Sequence, residues 1–243
     1  MNTNEDVPEL PYHMIWQGEY DKTDPEVSYN RGKLAFNYQD YERAINETMH
    51  AINLKPDYLN AQILLANSYK ASNQFEKAIQ TFEKAEKYIE DKDSVKSFIG
   101  SVYDKEGKLE EAIKYYSEAI KINPLEYNWI SFRADARLRL KHYSYAFFDL
   151  TRVIEILDRR KLRDTAPHIF KKRGTVRYYL SDFVGAVDDL TVSIKLNDKP
   201  DGEVFFFRGL SFKYLNQIEL CDVDMREALK LGIKNASKHI SEP

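Results

Sequence analysis

The sequence predicts an all-α chain of stacked antiparallel helix hairpins, and three observations predict it. Related stretches recur along nearly the whole chain, starting at Pro25, Leu59, Asp93, Tyr127, Pro167 and Gly202, at steps of 34, 34, 34, 40 and 35. Each stretch holds two runs in which apolar residues fall three and four apart, the spacing of an amphipathic helix. Small residues recur at fixed places in every copy, as two closely approaching helices require. With 43% hydrophobic residues and only 9 glycines and 8 prolines, the chain can fill a core and is poor in tight turns. The 17 tyrosines and 13 phenylalanines favour long helices with aromatic packing over a many-stranded sandwich.

The elements follow in order. Residues 1–24 form an acidic and aromatic leader, with Glu5, Asp6, Glu9, Glu19, Asp21 and Asp24 against Lys22 alone. It is expected to pack on the array through Tyr12, Ile15, Trp16 and Tyr20 as a cap. Six units follow at 25–58, 59–92, 93–126, 127–166, 167–201 and 202–235. The eighth place of each is small: Gly32, Ala66, Gly100, Ala134, Gly174 and Gly209. So is the twentieth: Ala44, Ala78, Ala112, Ala146, Ala186 and Cys221. The seventeenth is bulky throughout, from Tyr41 and Phe75 to Ile218. Between the two runs lie residues suited to a helix end, among them Asn73, Gly107, Ser181 and Asn216. The one long step is expected to be taken up by a longer connection at Asp158–Asp164. Residues 236–243 are a short polar tail, expected to solvate the end of the last hairpin.

These residues resemble tetratricopeptide repeats. Stretches such as YNRGKLAFNYQDYERAI and KEGKLEEAIKYYSEAIKINP, with Pro56 and Pro124 closing units, match that pattern over nearly 90% of the chain. The chain is thereby identified as a bacterial-type member with six repeats, and the resemblance implies a right-handed superhelical solenoid. Arg137 and Arg177 stand where the family usually has an aromatic residue.

Charge is patterned inside the repeat. Arg31, Arg133, Arg173 and Arg208 occupy the seventh place of four units, and Glu47, Asp149, Asp189 and Asp224 follow sixteen residues later. The other two units have Leu65 with Thr81 and Ile99 with Tyr115. Both charges are present or both absent, so the arginines are read as intra-repeat ion pairs and not as a phosphate ladder.

No catalytic constellation is visible. The five histidines are scattered without metal-ligand spacing, and Cys221 stands where sister units carry alanine. A single cysteine excludes a disulfide framework and a cysteine-rich zinc site. The protein is read as no enzyme, with no metal and no cofactor. No apolar run reaches the ~20 residues of a membrane span, and Glu5, Asp6 and Glu9 stand where an export signal would carry lysines. A cytoplasmic location is expected, without membrane contact.

The resemblance implies a concave face, lined by the first helix of each unit, that holds a partner peptide or helix. Helical spacing puts Tyr29, Lys33, Phe36, Asn60, Asn67, Phe98, Phe132, Lys171, Lys172, Tyr178, Phe206, Phe207 and Tyr214 on that stripe. Aromatic anchors beside lysines point to a partner with acidic and apolar side chains. Co-chaperone members grip a carboxylate with lysine, asparagine and arginine on successive first helices. The matching sets here, Tyr29, Lys33, Leu64, Ser94 and Phe98, or Ser131, Asp135, Lys172, Glu203 and Phe207, lack that cationic clamp. The function expected is therefore a protein-interaction scaffold. The alternative is a helical-repeat protein binding RNA or an acidic ligand through the basic segment 158–177, although a net charge of -3 makes nucleic acid an unfavoured partner.

Overall fold

The computed structural model describes residues 21–241. Most of the expected N-terminal cap, including Tyr12, Ile15, Trp16 and Tyr20, lies outside the described residues. The described chain is helical, without strands, and divides into two compact units between Glu106 and Gly107. The first holds α1 (Pro25–Asn37), α2 (Tyr41–Leu54), α3 (Leu59–Ala71), α4 (Phe75–Ala85) and α5 (Lys92–Glu106). The second holds α6 (Leu109–Ile122), α7 (Tyr127–Arg139), α8 (Tyr143–Arg159), α9 (Pro167–Tyr179), α10 (Phe183–Leu196), α11 (Gly202–Tyr214) and α12 (Ile218–Lys230). Short 3-10 turns cover Glu86–Tyr88, Arg163–Thr165 and Lys234–His239. Within each unit, sequential helices pack as neighbours, α1 on α2 and α9 on α10 as the most extensive pairs.

The small residues explain that packing. Ala44, Ala66, Ala78, Ala112, Ala134, Ala146 and Ala186 are wholly buried, and Cys221 is 1% exposed. A methyl group at Gly32 would sit 2.7 Å from the Thr48 side chain, and at Gly174 2.7 Å from Leu190. The facing helices thus approach more closely than a β-carbon allows. Around these contacts, Ile130, Leu150, Val153, Leu157, Ile169 and Phe170 form the centre of the second unit's core.

Every hairpin turn uses a left-handed residue at the fifteenth place of its unit: Gln39, Asn73, Gly107, Lys141, Ser181 and Asn216, with φ from 59 to 87°. Four helices are opened by an aspartate whose carboxylate accepts a backbone N–H: Asp24, Asp40, Asp182 and Asp201. The long step near 160 is not a simple connection. Helix α8 runs on to Arg159, because Ile156 and Leu157 continue its buried stripe, and only then does the chain turn at Lys161. At the C-terminus, Ala236 in the last 3-10 turn is buried, and Ile233 and Ile240 pack against the cluster that holds Met225 and Cys221.

The arginines of the second unit form a repeated cluster. Arg133 donates to Asp149 through Nε and Nη2 at 3.0 and 2.7 Å, and through Nη1 to Ser117 of the preceding helix at 3.0 Å. Arg173 repeats this with Asp189 at 2.8 and 2.7 Å and reaches Thr151; Arg208 repeats it with Asp224 at 2.8 and 2.8 Å and reaches Thr191 at 3.1 Å. Each guanidinium therefore ties its own hairpin to the previous one. Arg137 and Arg177 bring a second cation to Asp149 and Asp189, at 2.6 and 3.3 Å. In the first unit, Arg31 meets Glu47 through Nε at 3.1 Å.

Candidate partner-binding groove

The stripe residues of the first unit are mostly engaged in packing. Tyr29 lies against Tyr58 with ring centroids 5.2 Å apart, Phe36 against Tyr41 at 5.6 Å, and Phe98 stacks on the buried Phe82 at 5.2 Å. Lys33 and Asn60 are exposed and Asn67 is half-buried.

The second unit gathers a continuous aromatic surface. Tyr178 contacts Phe207 at 5.4 Å and Tyr214 at 6.1 Å, and Phe207 contacts Phe206 at 5.7 Å. Tyr214 is 63% exposed and Phe132 is 40% exposed, the latter beside Tyr116 and Trp129. Burial, helped by the neighbouring Tyr214 and a hydrogen bond with it, pushes the Tyr178 phenol above its ordinary pKa. Two residues outside the expected set complete the surface. Tyr143 stacks on Tyr179 at 4.6 Å with planes 9° apart, and Phe183 stacks on Tyr214 at 4.4 Å and 4°. Both come from the seventeenth place and meet the thirteenth place of the following unit. That regular offset is the sequence signal that would have found them.

A cavity of about 370 Å³ opens between α9 and α11, bounded by Leu138, His168, Lys171, Lys172, Asn197 and Phe207. Its lysines are already paired. Lys172 Nζ lies 2.7 Å from Asp135, and Lys171 Nζ lies 2.8 Å from both Asp201 and Glu203. Burial opposes the charge on Lys171, but the two carboxylates outweigh it and raise its pKa. The acids reach further into solvent than the lysines they hold: Asp201 and Glu203 side chains are 55% and 59% exposed, Lys171 24%. The face presents no excess of positive charge, so the expectation of an acidic partner loses the feature on which it rested.

The basic segment 158–177 is likewise partly paired. Arg163 meets Asp158 at 3.5 Å, Arg173 and Arg177 share Asp189, and Arg160 donates to the Leu125 carbonyl at 2.7 Å. Among the described residues, no three His, Cys, Asp or Glu side chains gather as a metal site, and no helix is long and apolar enough to cross a membrane.

Comparison with known proteins supplies an independent reading. The tetratricopeptide repeat family profiles match residues 59–92 and 97–124. The serine/threonine-protein phosphatase 5 of Rattus norvegicus is 36% identical over 99 residues, which is 40% of this chain and 19% of that protein. The Hsp70-Hsp90 organizing protein of Triticum aestivum is 28% identical over 166 residues, 67% of this chain and 26% of that protein. The chain thus spans about a fifth to a quarter of the length of these relatives. Among solved structures, YrrB, a repeat protein described as having an unusual peptide-binding site, superimposes with a TM-score of 0.64 at 16% identity, covering 79% of this chain and 96% of its own. At that identity the likeness concerns the fold.

Proposed function

The chain is a tetratricopeptide repeat protein, and on that premise we propose that it is a non-enzymatic, cytoplasmic adaptor that holds a partner's peptide or helix on the first helices of its repeats. The observation that carries this reading is the connected aromatic surface of the second unit, where Tyr179 and Tyr214 are exposed beside the half-buried Tyr178 and Phe207. A monomer gains little from leaving such rings in water, and clustered aromatic side chains are the usual anchors of protein interfaces. The reading takes residues 25–235 as six repeats; helix starts at Pro25, Leu59, Tyr127, Pro167 and Gly202 support that organisation. The likeness to an Hsp70-Hsp90 organizing protein supports an adaptor role, while the absence of a cationic clamp on the first helices argues for a different partner.

The bound segment is one that offers apolar side chains to the rings and both signs of charge to the Asp135–Lys172 and Lys171–Glu203 pairs. Selection of peptides from a displayed library against the whole protein, followed by calorimetry, tests this. Phe207→Ala should weaken the selected peptide by about 2 kcal/mol, near thirty-fold, as for an interface hot spot. Unchanged affinity in Phe207→Ala and Tyr178→Ala alike would place the partner elsewhere.

A further inference from the structure

The outer side of the second helices changes character along the chain. At the nineteenth and twenty-second places of the period, the first three copies carry Arg43 and Asn46, Lys77 and Gln80, and Glu111 and Lys114. The fourth carries Tyr145 and Phe148 on α8, and the last carries Leu220 and Val223 on α12. On α10, between them, Val184 stands one place before the nineteenth. These five apolar side chains are 48–68% exposed, while the adjacent Ala146, Ala186 and Cys221 are buried in the hairpins. Packing within the chain therefore does not account for them.

The two ends of this strip are complementary. On α8, Leu125 and Phe148 border a cleft of about 420 Å³ with the buried Ile156 in its wall. Arg152 and Arg160 donate to the Pro124 and Leu125 carbonyls at 2.9 and 2.7 Å, which holds the connecting segment beside the cleft. Arg152, Arg159 and Arg160 are exposed and meet no carboxylate among the described residues; Glu155 is the one acid in the cleft wall. Toward α12 the sign reverses. Asp188 and Glu219 are exposed and meet no cation among the described residues. Arg226 of α12 holds the twenty-fifth place, that of Ser117 and Thr151, whose hydroxyls point to the following hairpin and not to this side.

We propose that this side of the second unit is a homodimer interface, in which α8 of one copy lies across α12 of the other about a two-fold axis near α10. Two-fold symmetry makes each contact twice. Leu220 and Val223 of each copy enter the other's cleft beside Phe148, and Arg152 and Arg159 meet the other's Glu219 and Asp188. A strip that carries its own complement at its opposite end fits a second copy, whereas an acidic peptide answers the α8 end alone. With Leu125, the apolar side chains expose on the order of 600 Å² per copy, most of the ~800 Å² that each partner contributes to a specific interface.

Light scattering on the full chain as it leaves a sizing column, at roughly 1–100 μM, tests this. The mass is expected to rise from one chain to two and no further. Phe148→Glu and Val223→Glu, both at exposed sites, should each raise the dimer Kd at least tenfold with the helical circular dichroism unchanged. Phe207→Ala, in the first-helix groove, should leave it unaltered. Two charge variants identify the occupant: Arg152→Glu with Arg159→Glu, and Asp188→Arg with Glu219→Arg. Either protein alone should stay monomeric, because like charges then face each other. An equal mixture should form a heterodimer, because both contacts regain opposite signs. A chain that stays monomeric throughout, or masses that grow beyond two chains, overturns the proposal. So does a charge variant that dimerises alone as the unaltered chain does, or a folded pair that fails to associate when mixed.

Discussion

Asp149 shows how much one buried carboxylate can organise. Its side chain is 5% exposed and receives both Arg133 and Arg137, so its removal leaves two guanidinium groups uncompensated. Asp149→Ala should cost about 3–5 kcal/mol of stability in urea unfolding, as for a broken buried pair. Replacing the pair together, with Arg133→Met and Asp149→Leu, should recover most of that loss, because desolvation of both charges disappears. Arg31→Ala should cost less than Arg133→Ala, since Glu47, with 12% of its side chain exposed, is less shielded from water than Asp149 at 5%. Gly185 is tied to the same chemistry: a methyl group there would lie 2.4 Å from Asp182 Oδ2 and 2.7 Å from Arg177 Nη1. Gly185→Ala should therefore cost about 1–3 kcal/mol, the range for forced overpacking, measured by the same unfolding curve. The arginine–acid spacing of sixteen was legible in the chain. The hydroxyl partners leave a fainter signal: Ser117, Thr151 and Thr191 each hold the twenty-fifth place of the unit before an arginine, and Met49 and Glu83 stand there where the arginine is absent.

At the scale of the element, the hairpin turn repeats more strictly than its residues do. Gln39 and Lys141 adopt the same left-handed backbone as Gly107, with φ of 62 and 59°. A β-carbon in that conformation costs roughly 1–2 kcal/mol. Lys141→Gly should therefore raise stability, by about 0.5 kcal/mol after the greater freedom of glycine in the unfolded chain is deducted. Gly107→Ala should lower it. An unchanged thermal midpoint in both variants would show that the turn does not hold this geometry in solution. Sequence reading found the turns through Asn73, Gly107, Ser181 and Asn216, which favour this backbone. Gln39 and Lys141 carry no such signal, because there the hairpin imposes the conformation on residues with no preference for it.

Over the molecule as a whole, much of the charge is paired where the chain looked basic. Lys171, Lys172, Arg173 and Arg177 each meet a carboxylate contributed by another helix or turn. Single-stranded RNA should accordingly give no mobility shift even at low salt, where counterion release would favour binding most. A shift that weakens steeply with added salt would restore the nucleic-acid alternative. For the adaptor function proposed above, the same paired charges make aromatic contact, rather than electrostatic attraction, the basis of binding on the second unit.

The amino-acid order by itself determined the helical hairpins, because their period, their small contact residues and their paired charges are local or recur at fixed offsets. It could not determine which first-helix residues remain available to a partner. Phe98 and Phe132 occupy equivalent stretches of the chain, yet one stacks on Phe82 and the other is 40% exposed. Nor could it reveal that lysines beside the aromatic rings were spoken for. Exposure and pairing depend on side chains from neighbouring helices converging in space, and only the packed structure decides them.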